Sequence, residues 1–284
     1  MEKAFSFGQY NSMAGILTEP GTPGQNKQPI VIILNAGLVH HAGPHRMTVE
    51  LARTIASQGY MTFRFDLSAI GDSAARKSRL SYEERAVDET KEAMNFLSSL
   101  YGVNKFIIIG LCTGADNAHR VAVADKRVIG CVFLDGYAYP TFRFYLYRIL
   151  PKAHKLTQKI VNPKKWIHLA RKITKRITAR DNADTSEYME NVYWKLPHKE
   201  QAAKEYAELI SRSVCLYFIF TEEQILSFNY TNQIRDSFKN LSFGNLLSVD
   251  LFALSDHTYT FMSQQKLLFS GIKNWLGANF PNKA

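Results

Sequence analysis

A cysteine between two glycines is the feature of this sequence that points most directly to chemistry. Residues 110–114 read Gly-Leu-Cys-Thr-Gly; they follow the apolar run Lys105–Ile109 and precede a helical pattern. A turn this sharp between a strand and a helix brings its flanking residues close together, so only small residues fit there. The turn also presents its central side chain at a helix N-terminus, where the helix dipole favours a thiolate. We therefore expect Cys112 to be a nucleophile rather than a small buried hydrophobic residue.

The general base that such a cysteine needs is expected at His257. This histidine follows the last predicted strand, in the run Ser255-Asp256-His257-Thr258, and it comes after the nucleophile in the chain. A histidine in that order and at a strand end suits a nucleophile–base pair. We expect Asp256, the residue before it, to have a structural or helix-capping role, because neighbouring side chains diverge.

Short β-rich runs alternate with helical patterns along the chain, which is typical of a mostly parallel sheet with helices on both faces. The first 20 residues are expected to form a hairpin, and Ser81 with Glu84 forms a capping box that starts a helix. The predicted strands are 29–34, 60–65, 105–109, 128–134, 214–220 and 246–254, and the predicted helices are 46–57, 81–100, one from 113, and 258–276.

Composition excludes several classes of protein. The 284 residues are 46% hydrophobic and 21% charged, as in a globular protein with a sizeable core. No apolar run reaches the roughly 18 residues of a membrane span. Three cysteines at wide spacings suit a reducing compartment, and the N-terminus lacks the pattern of a secretory signal. We therefore expect a cytoplasmic protein.

The net charge of +10 is concentrated in one segment. Residues 141–180 contain twelve Lys and Arg and no Asp or Glu, whereas the rest of the chain has a small acidic excess. We expect residues 1–139 and 205–284 to form the core and 140–204 to form a basic helical cap. Its cations are either solvated or contact an anionic substrate, an acidic carrier protein or an anionic membrane surface. Nucleic acid is disfavoured, because no recognition motif accompanies the charge.

In its context the 110–114 turn resembles the nucleophile elbow of α/β-hydrolases, with cysteine in place of serine. The resemblance extends over essentially the whole chain. Asn35-Ala36-Gly37-Leu38 follows the predicted third strand, where that family has its oxyanion loop, and RFDLSAIGDS (64–73) is similar to the loop after its fourth strand. These stretches are most similar to serine-aminopeptidase-like and exosortase-associated hydrolases, including members with cysteine at the elbow. The resemblance implies the α/β-hydrolase fold with an inserted helical cap.

The same resemblance implies an acid as the third member of the site, and here the sequence departs from the family pattern. The aspartate expected after the penultimate strand is missing, since Gln224 stands there. Glu222 or Glu223 could replace it, and Glu222 is the slightly preferred acid. The alternative is Asp135, which follows the strand after the helix of the 110–114 turn, a position from which some thioesterases and lipases of this fold draw their acid.

Further site residues follow from the same comparison. We expect the backbone N–H groups of Leu38 and Thr113 to form the oxyanion hole. From the residues themselves, we expect His40 and His41 to orient the oxyanion loop and contact substrate, and Tyr137 to line an apolar pocket or to pack against the cap. The sequence predicts no cofactor and no metal, because neither carboxylate nor cysteine accompanies the histidines at a suitable spacing.

The expected reaction is cleavage of an ester or thioester through an acyl-cysteine, with the substrate free or attached to a carrier protein. An acyltransferase or cyclase would pass the same acyl group to an acceptor other than water. A non-catalytic binding protein would keep the pocket but form no acyl-cysteine.

Overall fold

The computed structural model describes residues 1–21, 28–148 and 197–281, and these contain one eight-stranded sheet. Its strands are β1 (Glu2–Phe7), β2 (Met13–Thr18), β3 (Ile30–Ile33), β4 (Thr62–Phe65), β5 (Phe106–Leu111), β6 (Val128–Leu134), β7 (Cys215–Thr221) and β8 (Leu247–Phe252). They lie in the order β1-β2-β4-β3-β5-β6-β7-β8. β2 pairs antiparallel with β1 and β4, and all the other pairs are parallel. The predicted N-terminal hairpin and mostly parallel sheet are confirmed.

Helices cover both faces of this sheet. They are α1 (Met47–Ala56), α2 (Tyr82–Tyr101), α3 (Thr113–Ala124), α4 (Lys199–Ser211), α5 (Gln233–Ser237) and α6 (Met262–Asn279). Phe106 and Ile108 of β5 pack in the core that α2, α3 and α4 share, whereas Ile107 and Ile109 pack in the core under α1 and α6. Side chains of a strand alternate between faces, so a continuous apolar run such as β5 is buried on both sides.

The two ends of α2 follow from local chemistry. Glu84 N–H donates to Ser81 Oγ at 3.2 Å, and Ser81 N–H donates to Glu84 Oε2 at 2.9 Å, so the predicted capping box is present. The helix ends at Gly102, whose φ of 62° is a left-handed conformation that glycine adopts without strain.

The last helix begins later than predicted. The sequence indicates a helix from residue 258, but α6 starts at Met262. The carboxylate of Asp256 accepts hydrogen bonds from the N–H groups of Thr258 and Thr260, and Tyr259 has a φ of 51°. A short acidic side chain that binds nearby N–H groups competes with helix formation. This turn leaves His257 outside the helix, directly after β8.

Much of the predicted cap (140–204) lies outside the described residues. Residues 142–148 are helical. Helix α4 starts at Lys199, five residues before the predicted end of the cap at 204, and it packs on α3. The two-part division of the chain stays a prediction, as do the amphipathic cap helix and its partners. Among the described residues, no helix has the length and apolar character that crossing a membrane requires.

Candidate active site

Cys112 lies between β5 and α3 with φ 57° and ψ −121°, a strained conformation for a residue with a side chain. The flanking glycines make this turn sterically feasible. A Cβ at Gly110 would lie 2.0 Å from the carbonyl oxygen of Gly114, and a Cβ at Gly114 would lie 2.5 Å from the carbonyl oxygen of Asn35. Both distances are far below van der Waals contact. The 110–114 turn therefore needs both glycines, as the sequence spacing predicts.

Asp135 directly follows β6, next to the end of β7. Its side chain is fully buried and accepts two hydrogen bonds of 2.7 Å from Thr221, one from the backbone N–H and one from Oγ1. The backbone N–H of Asp135 donates to Ile219 O at 2.8 Å. These bonds fix the carboxylate in one orientation and satisfy part of its capacity to accept hydrogen bonds.

His257 approaches Asp135 from the end of β8. Its Nδ1 lies 2.8 Å from Asp135 Oδ2, and the ring is close enough to Cys112 to interact with it electrostatically. The bond to Asp135, followed by the contact with Cys112, raises the pKa of His257 to about 10, although burial opposes the charge. The imidazolium is therefore the favoured form at neutral pH, and an imidazolium beside a cysteine stabilises the thiolate.

The two candidate acids occupy very different places. Glu222 lies at the end of β7 with an exposed side chain, and its backbone N–H donates to Ser255 O at 3.1 Å. Asp135 holds the imidazole of His257 instead. The geometry thus reverses the slight preference for Glu222, for a physical reason: a buried carboxylate at the end of β6 reaches the histidine that follows β8, while the Glu222 side chain turns towards solvent.

The predicted oxyanion residues are brought next to each other. Val39 N–H donates to Ala36 O at 3.0 Å, which closes a tight turn that contains Leu38. Gly37 N–H donates to Thr113 Oγ1 at 2.7 Å and ties this turn to the start of α3. The first N–H groups of a helix have no partner within the helix, so the N–H of Thr113 is suited to an anion.

His41, expected to contact substrate, is buried in the scaffold instead. Its Nδ1 lies 2.7 Å from Asp66 Oδ2, and its backbone N–H donates to Asp66 Oδ1 at 2.6 Å. Asp66 also accepts from the Asn35 side chain at 2.8 Å and from Asp72 N–H at 3.0 Å. Burial opposes ionisation of Asp66, but the hydrogen bonds, led by that from His41, hold its pKa below the ordinary value.

His40 is part of the same network but remains half exposed. Its Nδ1 accepts the N–H of Ala42 at 3.1 Å, so its Nε2 carries the proton and lies 3.1 Å from Asp72 Oδ2. Both ring nitrogens are thereby engaged within the protein. A contact between this side chain and substrate stays a proposal.

A set of four potential metal ligands arises where the sequence suggested none. Atoms of His40, His41, Asp66 and Asp72 lie within 4.8 Å of one another. The sequence argument against a metal was that no carboxylate accompanied the histidines, whereas the fold supplies two. The hydrogen bonds nevertheless favour a site without a metal, because the imidazole nitrogens that face the carboxylates carry protons and donate hydrogen bonds to them. Metal coordination would require at least His40 to give up its bond with Ala42.

Tyr137 follows β6 and packs against the core that α3 and α4 share. Its hydroxyl lies 2.6 Å from His119 Nδ1 and accepts a hydrogen bond of 3.1 Å from the Tyr206 hydroxyl. Burial lowers the pKa of His119 to about 3, so this histidine is neutral and its Nδ1 accepts a hydrogen bond from the Tyr137 hydroxyl. The hydroxyl of Tyr137 is thus committed to the core, and its ring is the part that substrate could contact.

Several supporting residues escape sequence reasoning. Thr221, which holds Asp135, stands beside Glu222, but nothing local marks it as a hydrogen-bond partner of a residue 86 positions earlier. Asp66 and Asn35 could have been found as a pair, since each begins a loop after a neighbouring parallel strand and such loops meet at one sheet edge.

Comparison with known sequences gives limited information. No protein-family profile matches the chain. A segment of 119 residues is 27% identical to an uncharacterized protein, PA2218, of Pseudomonas aeruginosa. The match covers 41% of this chain and 31% of that protein, so it spans about a third of the relative's length.

Solved structures resemble the whole chain. A serine hydrolase without a lid from Xanthomonas campestris has a TM-score of 0.58 at 11% identity and covers 100% of this chain and 97% of its own. A serine hydrolase homologue from Coxiella burnetii has a TM-score of 0.56 at 12% identity, with 95% and 97% covered. A proline iminopeptidase-related protein from Thermus thermophilus has a TM-score of 0.55 at 16% identity, with 100% of both chains covered. Together with the strand order and the 110–114 turn, these likenesses establish that the chain has the α/β-hydrolase fold.

Proposed function

We propose that this protein cleaves esters or thioesters through an acyl intermediate on Cys112. The observation that carries the proposal is the convergence of three chain segments on one point. Cys112 stands at a strained turn, the imidazole of His257 lies close enough to interact with it, and Asp135 is hydrogen-bonded to Nδ1 of that imidazole. A nucleophile, a base and an orienting acid in this relation are the working parts of acyl transfer.

The proposed reaction starts with attack of the Cys112 thiolate on the substrate carbonyl carbon. A C–S bond forms, and the electron pair of the carbonyl moves to oxygen, where the N–H groups of Thr113 and Leu38 stabilise the negative charge. The tetrahedral intermediate collapses, the bond to the leaving alcohol or thiol breaks, and the imidazolium of His257 protonates the leaving group. In the second half, His257 takes a proton from water as the water oxygen attacks the acyl carbon; the C–S bond then breaks, which releases the acid and restores the Cys112 thiolate beside the imidazolium.

Asp135 has a positioning role in this scheme. Because Thr221 fixes the carboxylate and the carboxylate binds Nδ1, the Nε2 side of His257 is directed towards the sulfur and the substrate. The negative charge also stabilises the imidazolium that each half of the reaction requires. A thiol ionises more readily than a hydroxyl, so this enzyme should depend on its acid less than a serine hydrolase does.

Intact-protein mass spectrometry tests the proposal directly. Incubation with a panel of acyl thioesters, quenched in acid, should add the mass of the acyl group to the wild-type chain but not to Cys112→Ala. Cys131→Ala is the matched control, because Cys131 is fully buried and burial raises its pKa, so its loss should leave acylation intact. Acylation that persists in Cys112→Ala would contradict the proposal.

The same experiment separates hydrolysis from transfer. Decay of the acyl-enzyme in buffer alone, with release of free acid, indicates a hydrolase. Decay that requires an added amine, alcohol or thiol indicates an acyltransferase or cyclase. The choice matters here because oxygen esters are attacked well by serine, and a cysteine suits thioester exchange.

Delivery of the substrate by an acidic carrier protein or at an anionic lipid surface is a further part of the proposal. It rests on the composition of residues 141–180, with twelve cations and no acidic residue. Reversal of Lys164, Lys165, Lys172 and Lys175 to Glu should raise KM for carrier-borne substrate and leave turnover of a small neutral ester intact. Salt should weaken the carrier reaction alone, since the Debye length falls from about 10 Å at 0.1 M to about 3 Å at 1 M.

A further inference from the structure

Asp116 is a buried carboxyl group beside the candidate active site that the proposed reaction does not use. It lies on α3, one helical turn after Cys112, and its exposed fraction is 9%. Among the described residues it has no hydrogen bond and no ion pair through its side chain. Buried carboxylates are ordinarily paired or hydrogen-bonded, because an unpaired buried charge costs free energy. Asp116 is therefore an exception that calls for a ligand.

The hydroxyl groups around Asp116 cannot fill this role, since each is bonded elsewhere. Burial raises the pKa of Tyr137, Tyr139 and Tyr206, and the charge of Asp116 adds to the effect in each, which places the carboxyl group near all three. Yet Tyr206 donates to Tyr137, Tyr137 donates to His119, and Tyr139 donates to Pro197 O at 2.6 Å. The donors next to Asp116 are thus already used.

The electrostatic surroundings indicate the charge of the missing ligand. Glu200 and Glu205 of α4 act on Tyr139 together with Asp116, so three carboxyl groups gather on this side of the site. Arg120, one turn further along α3, attracts Asp116 but lies too far away for an ion pair. Burial raises the pKa of Asp116 to about 7, which shows how little the protein itself stabilises the charged form. A cation is the ligand that this environment favours.

The carboxylate is also within reach of a ligand. The side-chain atoms that are both fully enclosed and unpartnered include Asn117 Oδ1 and His119 Nε2 on the same helix but neither oxygen of Asp116. Both oxygens therefore retain contact with open space. The backbone N–H of Asp116 donates to Cys112 O at 3.4 Å, so this space adjoins the first turn of α3, next to the 110–114 turn.

We propose that Asp116 binds a protonated amine carried by the substrate, next to the carbonyl group that Cys112 attacks. The inference rests on the proposed function for the place of that carbonyl group and adds the substrate class, an amine-bearing acyl compound. A primary ammonium offers three donors and a full charge, which is what an unpaired carboxylate among aromatic rings can accept. Neutral acyl groups of the same shape would leave Asp116 unpaired.

The binding experiment uses amides, which do not acylate cysteine readily, in pairs that differ only in charge. Titration calorimetry compares β-alaninamide with butanamide and 6-aminohexanamide with heptanamide, in which a methyl group replaces the ammonium. The wild-type protein should bind the amine of at least one pair about tenfold to a hundredfold more tightly, the range for a hydrogen bond to a charged group. Asp116→Asn should lose that preference.

Asp125→Asn is the matched control, because it removes one negative charge from the other end of α3, where Asp125 pairs with Arg127. It should keep the amine preference. Folding of Asp116→Asn is checked by its Tm, which should equal or exceed that of the wild type, since the change removes an unpaired buried carboxyl group. Equal affinity for amine and methyl compounds in the wild type, or an amine preference that survives in Asp116→Asn, would overturn the proposal.

A parallel measurement keeps this inference separate from the proposed function. The thioesters of N-acetylcysteamine with 6-aminohexanoic and heptanoic acid are tested for acylation of Cys112. Absence of an acyl-enzyme with both would contradict the proposed function, while the amide titrations would still decide whether Asp116 binds an amine. Acylation by both at equal rates, with no amine preference in the titrations, would contradict the role of Asp116 alone.

Discussion

Two histidine–aspartate pairs among the described residues have nearly equal geometry but different surroundings. In one, His257 Nδ1 lies 2.8 Å from Asp135 Oδ2; in the other, His41 Nδ1 lies 2.7 Å from Asp66 Oδ2. Both aspartate side chains are fully buried. Distance and burial of the acid alone therefore do not distinguish a candidate catalytic pair from a structural one.

The difference lies in what else each pair contacts. Asp66 accepts from the backbone of His41 and Asp72 and from the Asn35 side chain, so it joins two loops, and the His41 side chain is only 6% exposed. The His257 side chain is 26% exposed, and its interaction with Cys112 raises its pKa further. We expect a structural pair to direct its hydrogen bonds into the scaffold, and a reactive pair to keep one side open towards a nucleophile and substrate.

Loss of the nucleophile should have the largest effect. Cys112→Ala should reduce thioester cleavage by about 10⁴-fold or more, as removal of a nucleophile does in related triads. It should also abolish rapid alkylation by iodoacetamide, because Cys131 is buried and burial raises the pKa of the Cys215 thiol. Peptide mapping after a short iodoacetamide pulse checks this. A wild-type protein labelled first at Cys215 would remove the basis for treating the His257 pair as reactive.

Removal of the acid of the reactive pair should come next. Asp135→Asn should lower kcat by about 10²- to 10³-fold, less than the roughly 10⁴-fold in a serine protease. The same change should lower the pKa of His257 from about 10 towards 6.5, because the Asp135 bond is the largest cause of the shift. The alkaline limb of the acylation step should therefore move to lower pH, measured as kcat/KM against pH. An unchanged limb would mean that Asp135 does not set the protonation of His257.

Removal of the acid of the structural pair should act on folding. Asp66→Asn should lower the free energy of unfolding by roughly 3 kcal/mol, since it breaks a buried pair. The folded-state pKa of Asp66 is depressed, so its stabilising contribution is present above the unfolded pKa and is lost as pH falls through the folded value. The gap between wild type and variant in urea unfolding should thus be full at pH 7 and shrink below about pH 4. A gap that grows on acidification would contradict this account.

The link between the oxyanion turn and α3 should give a smaller effect. Thr113→Val removes the acceptor for Gly37 N–H and should lower kcat about tenfold with little change in KM, because the turn would lose its position when charge develops on the carbonyl oxygen. Thr113→Ser keeps the hydroxyl and should restore the rate. If valine and serine behave alike, the hydrogen bond has no part in positioning the turn.

Glu222→Gln should have the smallest effect. Its side chain is exposed, and surface substitutions of this kind change stability by about 0.5 kcal/mol or less. The rate of acylation should also be unchanged, measured beside Asp135→Asn under the same conditions. A loss of activity comparable with that of Asp135→Asn would return Glu222 to the role of orienting acid.

The fold was predictable from local signals because these signals are strong in this chain. The continuous apolar run of β5, the capping box at Ser81 and the glycines at 110 and 114 each have one physical interpretation, and they place Cys112 at the end of a central strand. The position of His257 followed from chain order and strand ends. Hydrophobic pattern, helix capping and steric fit in a turn each depend on a few neighbouring residues. They can therefore be predicted from the amino-acid sequence without the tertiary structure.

The partners of the carboxylates were decided only by the tertiary structure. Asp135 and Glu222 both follow strands, and which one meets His257 depends on how the ends of β6, β7 and β8 lie side by side and on a bond from Thr221. The place of His41 in the scaffold depends likewise on Asp66, 25 residues away. Hydrogen bonds between distant segments depend on distances of a few tenths of an ångström, which the spacing of residues along the chain does not contain.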